Sequence, residues 1–330
     1  MRFESFIGNK RVKEQLSVLL ESNRFPHALI IEGEEGLGKR TLAKEIALSL
    51  ICISEEERPC RKCAQCKKVL KNVHPDVCIY KPDESKKSRP FSVDTVRDII
   101  NDASIKPNEA QFKIYILEEC ERMNASAQNA LLKIIEEPPS YAVFILCASS
   151  KAAMLPTVLS RSVVVSLEGV ENSEGAEYIC EKNSDIDYES ALHAISVCSG
   201  NIGKAIQMLG DGKLGKIIEI SNSVANALIQ DKEYELIKAL SVFEKDNQTM
   251  ISCLEFLKSI FRDALLYSSG ADMISNQKET VKRLAQNLTT GKLIKLIGVC
   301  DEISLYANGN GNNALLITKL CYELRRAQKR

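Results

Sequence analysis

Gly33-Glu34-Glu35-Gly36-Leu37-Gly38-Lys39 carries the spacing of a phosphate-binding loop, with Gly33, Gly36 and Gly38 as its turning points. In such a loop backbone N–H groups cradle phosphate oxygens and the lysine ammonium reaches the terminal phosphates. The residue after the lysine is ordinarily Ser or Thr, whose hydroxyl holds Mg2+. Here it is Arg40, with Thr41 one place later. One helical step turns a side chain by about 100°, so Thr41 is expected to point away from the metal. A guanidinium cannot ligate a cation. Phosphate binding, and with it ATP binding, stays open; metal-assisted hydrolysis by this chain alone is not expected.

A second acidic element, Glu118-Glu119-Cys120-Glu121, follows the apolar run Lys113 to Leu117. An acid there orients Mg2+ and its neighbour polarises the attacking water. Glu118 stands at the place usual for aspartate. Its extra methylene is expected to displace the carboxylate by more than the roughly 1 Å that such chemistry tolerates. Glu119 keeps the position of the base.

Cys60-x2-Cys63-x2-Cys66 has metal-ligand spacing, and Arg61, Lys62, Lys67 and Lys68 around it favour thiolates. Three ligands do not close a tetrahedral site. Cys52 is the favoured fourth, with Cys78 and His74 as alternatives. A closed four-thiolate Zn2+ site has no open position, so its role is structural. It staples an insertion at about residues 52–78.

These groups need a scaffold. Ala28 to Glu32, Val77 to Tyr80, Lys113 to Leu117, Val143 to Ala148 and Val163 to Leu167 are short, almost continuous apolar runs. Runs of that kind suit strands of a parallel sheet covered on both faces. Helical periodicity lies between them at Thr41 to Leu50, Val93 to Ala103 and Ala125 to Glu136, the last stopped by Pro138-Pro139. The pattern predicts a doubly wound α/β P-loop domain over residues 1–167. A small helical unit over 168–210 and an all-α domain over 211–330 follow it. Gly210-Asp211-Gly212 and Gly215 mark the break between them. Helices are expected at Glu233 to Glu244, Gln248 to Tyr267, Gln277 to Gln286, Leu293 to Tyr306 and Asn312 to Arg326, with turns at Gly270, Gly291 and Gly309-Asn310-Gly311.

Composition removes several classes. Lys+Arg and Asp+Glu balance at 44 each, so nucleic-acid attraction must be local. No Trp and 5% aromatic residues argue against a base-stacking surface. The start, Met1-Arg2-Phe3-Glu4-Ser5, leads into an amphipathic segment without a signal-peptide core. No apolar run spans a bilayer. Of the 12 cysteines, most outside the cluster sit singly in apolar segments, as small buried hydrophobes of a reducing compartment do. A cytoplasmic location is expected. The basic end Arg325 to Arg330 reads as a helix C-terminus favoured by the dipole.

Met123-Asn124-Ala125-Ser126-Ala127-Gln128-Asn129-Ala130-Leu131-Leu132-Lys133 is closed by Glu136-Glu137-Pro138-Pro139. Phe144-Ile145-Leu146 and Leu155-Pro156-Thr157-Val158-Leu159-Ser160-Arg161 come next. This segment resembles the clamp-loader branch of the AAA+ ATPases, as does a zinc insertion after the loop helix. Motor subunits of that branch carry an intact P-loop, an Asp-Glu pair and an arginine in a second sensor helix. This chain departs from them at Arg40, Glu118 and Gly203, and so resembles the branch's stationary, non-motor subunits; Lys204 offers a partial substitute at the last place. Arg161 matches the arginine of the Ser-Arg-Cys motif, although Ser162 replaces the cysteine.

The resemblance implies a subunit of a DNA polymerase holoenzyme that assembles with motor subunits and a delta-type subunit through a helical collar. It implies that Arg161 acts in trans on a neighbour's γ-phosphate. It also implies that the sliding clamp and primer-template DNA are met indirectly, with Arg97 at a position that touches DNA backbone in relatives. An active ATPase of the same fold is the second reading and a zinc-dependent binding module the third. The altered metal ligands favour the first.

Overall fold

A computed structural model of the chain describes residues 3–22, 25–54, 57–82, 91, 93–212, 214–269, 277–308 and 312–329. The chain forms two compact units, residues 1–169 and 170–330.

The first unit runs α1 (Lys10–Glu21), β1 (Ala28–Glu32), α2 (Lys39–Ile51), α3 (Ala64–Leu70), β2 (Val77–Tyr80), α4 (Val93–Ala103), β3 (Lys113–Leu117), α5 (Ala125–Glu136), β4 (Ala142–Ala148), α6 (Pro156–Leu159) and β5 (Val163–Ser166). Short 3-10 turns at Cys120–Arg122 and Lys151–Ala153 follow β3 and β4. All pairings are parallel, in the order β2-β3-β4-β1-β5. Successive side chains of a strand point to opposite faces. Leu29, Ile31, Ile114, Ile116, Val143 and Ile145 therefore pack with Leu42 and Ile46 of α2 on one face. Ile30, Tyr115, Leu117, Phe144 and Leu146 pack with Val96, Ile99 and Leu131 of α4 and α5 on the other. This double covering is why the strands read as unbroken apolar runs.

One buried carboxylate ties the sheet edge together. Asp76, fully buried just before β2, accepts from the backbone N–H of Asn108 (2.6 Å), Glu109 (2.8 Å) and Ala110 (3.0 Å). Those residues lead into β3, so a single side chain fixes where β3 begins beside β2.

The second unit is helical throughout its described residues: α7 (Asn172–Lys182), α8 (Tyr188–Val197), α9 (Ile202–Gly210), α10 (Leu214–Ile229), α11 (Glu233–Leu240), α12 (Asn247–Ser268), α13 (Lys278–Asn287), α14 (Thr290–Asn308) and α15 (Asn313–Lys329). Its core is continuous from Ala176 and Ile195 through Leu254, Phe256, Leu257, Ile260 and Phe261 of α12 to Leu320 and Leu324. Three details differ from the sequence pattern. The helix expected to reach Glu244 leaves α geometry at Leu240 and tightens to a 3-10 turn over Ser241–Lys245. Gly215 and Gly291 lie within the first turns of α10 and α14, not in breaks. The turns expected at Gly270 and at Gly309 to Gly311 lie outside the described residues. No described helix is long and apolar enough to cross a membrane.

Burial alone would push the Asp76 carboxyl up, but its three N–H donors outweigh that and hold it below the ordinary aspartate value of 3.8. A depressed carboxylate stabilises the fold above its unfolded pKa and loses that contribution as pH falls through the folded value. Asp76→Ala should cost about 3 kcal/mol at neutral pH by leaving three N–H groups unpaired. The gap between the variant and wild-type urea midpoints should narrow on acidification below that ordinary value. A variant as stable as wild type at pH 7 would contradict this account.

Candidate functional site

The phosphate loop leaves the C-terminal end of β1, the strand held between β4 and β5. Gly36 and Gly38 adopt φ of 92° and 86°, the left-handed region where a side chain is strained. At Gly38 a Cβ would also stand 3.2 Å from the Phe6 ring. The glycine spacing thus records a backbone need. Gly38 caps α2, whose N-terminus opens on the loop.

Lys39 folds back over the loop, where its ammonium donates to the carbonyls of Gly33 (2.5 Å) and Glu34 (2.9 Å). Burial lowers its pKa; Glu121, Cys147, Glu35 and Glu119 pull the other way. Arg40 reaches across to the end of β3. Its Nε lies 2.8 Å from Glu118 Oε1, an ion pair that lacks hydrogen-bond alignment. Lys81 Nζ stands 3.8 Å from the other Glu118 oxygen. Burial raises the Glu118 pKa, and the two cations oppose it. Thr41 lines a cleft of about 300 Å3 with Arg40, Lys44, Glu45, Ile116 and Glu118.

Glu119 has a left-handed backbone and gives its carboxylate to Arg122 at 2.8 Å. Glu121 accepts from Ser149 N at 3.0 Å, joining the ends of β3 and β4. Every acid of this element therefore has a partner within the chain.

The four thiols of Cys52, Cys60, Cys63 and Cys66 lie within 4.8 Å of one another. A tetrahedral ion at a metal–sulfur distance of about 2.3 Å sets sulfurs about 3.8 Å apart, so the donor set fits one soft tetrahedral cation with small shifts. Backbone N–H groups already point at the sulfurs: Cys60 N to Cys52 Sγ (3.3 Å), Cys63 N to Cys60 Sγ (3.4 Å) and Cys66 N to Cys63 Sγ (3.4 Å). Such bonds from Cys63 and Lys62 push the Cys60 thiol down to about 6. Burial pushes Cys52 and Cys66 up. Neither alternative fourth ligand joins the group. His74 has both ring nitrogens engaged, with Gln65 Oε1 (2.7 Å) and Asp76 N (3.0 Å). Cys78 Sγ lies instead against Pro75 O at 4.0 Å.

Arg161 follows α6 and precedes β5. Its Nε pairs with Glu136 Oε1 at 2.8 Å, and Nη1 donates to Thr157 O and Ser160 Oγ, both at 3.2 Å. It stays half exposed. Gln128, buried in α5, donates to Met123 O (3.2 Å) and Ala153 O (3.1 Å) and accepts from Leu155 N (2.7 Å). Arg97 lies on the exposed face of α4, where its Nη1 pairs with Asp94 Oδ1 at 3.0 Å.

Two residues that support the site directly, apart from Asp76 at the sheet edge, are not foretold by residue spacing. Gln128 is one; its only signal was its place in the motif. The other is Glu45, buried in α2. Its Oε1 holds Arg61 Nη2 at 2.5 Å and accepts from Ser5 N at 3.3 Å, so it fastens the cysteine insertion to the loop helix. No local spacing reveals a pair formed across the insertion.

Two family models match the chain: "DNA polymerase III, delta subunit" over residues 8–171 and "DNA polymerase III, delta subunit, C terminal" over residues 219–325. DNA polymerase III subunit gamma of Buchnera aphidicola subsp. Baizongia pistaciae is 30% identical over 265 residues, 77% of this chain and 70% of that protein. DNA polymerase III subunit delta' of Bacillus subtilis is 24% identical over 320 residues, 91% of this chain and 92% of that one. Subunit tau of the same organism is 28% identical over 338 residues, 91% of this chain but 57% of tau, so the chain spans little more than half of that relative.

Arg61→Ala strands the buried Glu45 carboxylate and should destabilise the protein by about 3 kcal/mol. Glu45→Gln combined with Arg61→Met should cost clearly less. Equal losses in the single and double variants, measured by chemical denaturation, would show that the pair is not coupled.

Proposed function

This chain belongs to the DNA polymerase III delta-subunit family of clamp-loader subunits, and we propose that it is the stationary, delta-prime type member, lending Arg161 to a neighbouring motor subunit. Strand direction carries this reading. β5 runs parallel to β1 with Leu29 beside Val163 and Glu32 beside Ser166. Arg161 lies in the turn before that register and the phosphate loop follows it, so the four steps from Leu29 to Gly33 separate them along the strand axis. At about 3.3 Å per step that is about 13 Å of strand alone, longer than an arginine side chain. The Arg161 guanidinium is held at the edge away from its own loop, by Glu136, which supports a role toward a second chain.

Its present contacts suit that task. Glu136 holds the guanidinium at the surface, and exposed ion pairs contribute only about 0–1 kcal/mol. A γ-phosphate offers stronger, charge-assisted bonds. An arginine supplied in trans stabilises charge in phosphoryl transfer. In this reading residues 168–210 act as a small lid and 211–330 as the collar that assembles with motor subunits and a delta-type subunit. The sliding clamp and primer-template DNA are met through the assembly, with Arg97 as the candidate backbone contact. The free, largely buried thiols fit a reducing cytoplasm.

For the thiolate cluster the proposed occupant is Zn2+, held by Cys52, Cys60, Cys63 and Cys66 as a structural ion without an open position. The ion would supply only cross-linking.

Arg161→Ala should leave the melting temperature of the isolated chain within about 2 °C of wild type, since a surface pair is lost. ATP turnover of a loader reconstituted with motor subunits should drop by about 100-fold or more. Unchanged turnover sinks the in-trans reading. For the cluster, elemental analysis of protein purified without chelator should find one zinc per chain, and Cys60→Ser should lose it. Metal-free wild-type protein with an unaltered melting curve would exclude a structural zinc.

A further inference from the structure

The phosphate loop departs from metal-dependent chemistry at two positions, and those two positions touch. Arg40 stands where a hydroxyl would hold Mg2+, and Glu118 where a shorter acid would orient it. A divalent cation in such a site links the start of the loop helix to the end of the acid strand. Here Arg40 Nε, 2.8 Å from Glu118 Oε1, makes that link with a positive charge built into α2. Lys81 brings a second cation to the other oxygen. The longer glutamate spans toward the guanidinium, so the extra methylene that spoils metal geometry suits this partner.

Mg2+ does not fit these residues. It demands octahedral oxygen ligands at about 2.0–2.1 Å, whereas this carboxylate faces two cations and position 40 carries a guanidinium instead of a hydroxyl. Glu118 also depends on its cations, whereas Arg40 is itself well exposed. The Glu118 side chain is only 12% exposed, and without Arg40 it would be a charge mostly out of water.

We infer that Arg40 and Glu118 form a single compensated exchange, in which a guanidinium takes the place of the divalent cation. The loop is thereby assembled without Mg2+ and gains no phosphate affinity from it. The inference rests on this chain's own residues and stands apart from the role of Arg161.

The test uses the isolated full-length chain, the fluorescent nucleotide mant-ATP, and thermal melting, each in excess Mg2+ and in EDTA. Wild type should show no Mg2+-dependent gain in mant-ATP affinity or melting temperature, whether or not it takes the nucleotide. Arg40→Thr with Glu118→Asp should gain Mg2+-dependent binding of about ten-fold, equivalent to about 1.4 kcal/mol. Arg40→Thr alone should melt below the double variant. A ten-fold Mg2+ enhancement in wild type would overturn the inference. So would a double variant that folds by circular dichroism yet ignores Mg2+. The wild-type arm decides even if the double variant fails to fold.

Discussion

Parallel pairing of β1 with β4 on one side and β5 on the other is the constraint from which the rest follows. In a parallel sheet all strand ends of one kind share an edge. The phosphate loop, Glu118 and Ser149 follow the C-terminal ends of β1, β3 and β4, so they meet there without any special contact to gather them. Arg161 precedes β5 and is sent to the opposite edge. Two chemically capable groups of one chain are thus kept apart by the direction of its strands.

At the loop edge, charge is balanced internally. Lys39 is satisfied by two loop carbonyls, Arg40 by Glu118 and Glu119 by Arg122. Nearby, the Glu45–Arg61 pair joins the loop helix to the cysteine insertion, so the insertion is anchored by charge.

Much of this was legible in the chain. Strand runs were readable because both faces of the sheet are buried, and the loop because φ of 92° and 86° demands glycine at fixed offsets. Cys52 was favoured as the fourth thiol, and the sulfurs do gather around it. The defects at Arg40 and Glu118 were visible singly, yet their contact was not, since residues far apart in sequence carry no spacing signal. Asp76 and Gln128 were missed for a similar reason: each serves backbone groups of distant segments, which periodicity does not encode. The same holds for the second unit. Apolar repeats announced its helices, but not that α7 to α15 share one continuous core.

Helix α5 has a consequence of its own. Gln128 in its first turns grips the chain on either side, at Met123 and at Ala153–Leu155, while Glu136 in its last turn grips Arg161. The helix is 12 residues long, which makes a rod of about 18 Å at 1.5 Å per residue. A rod clasped at both ends turns as one piece. The segment that follows the acidic strand and the segment that carries the Arg161 guanidinium are thereby attached to opposite ends of one rigid element.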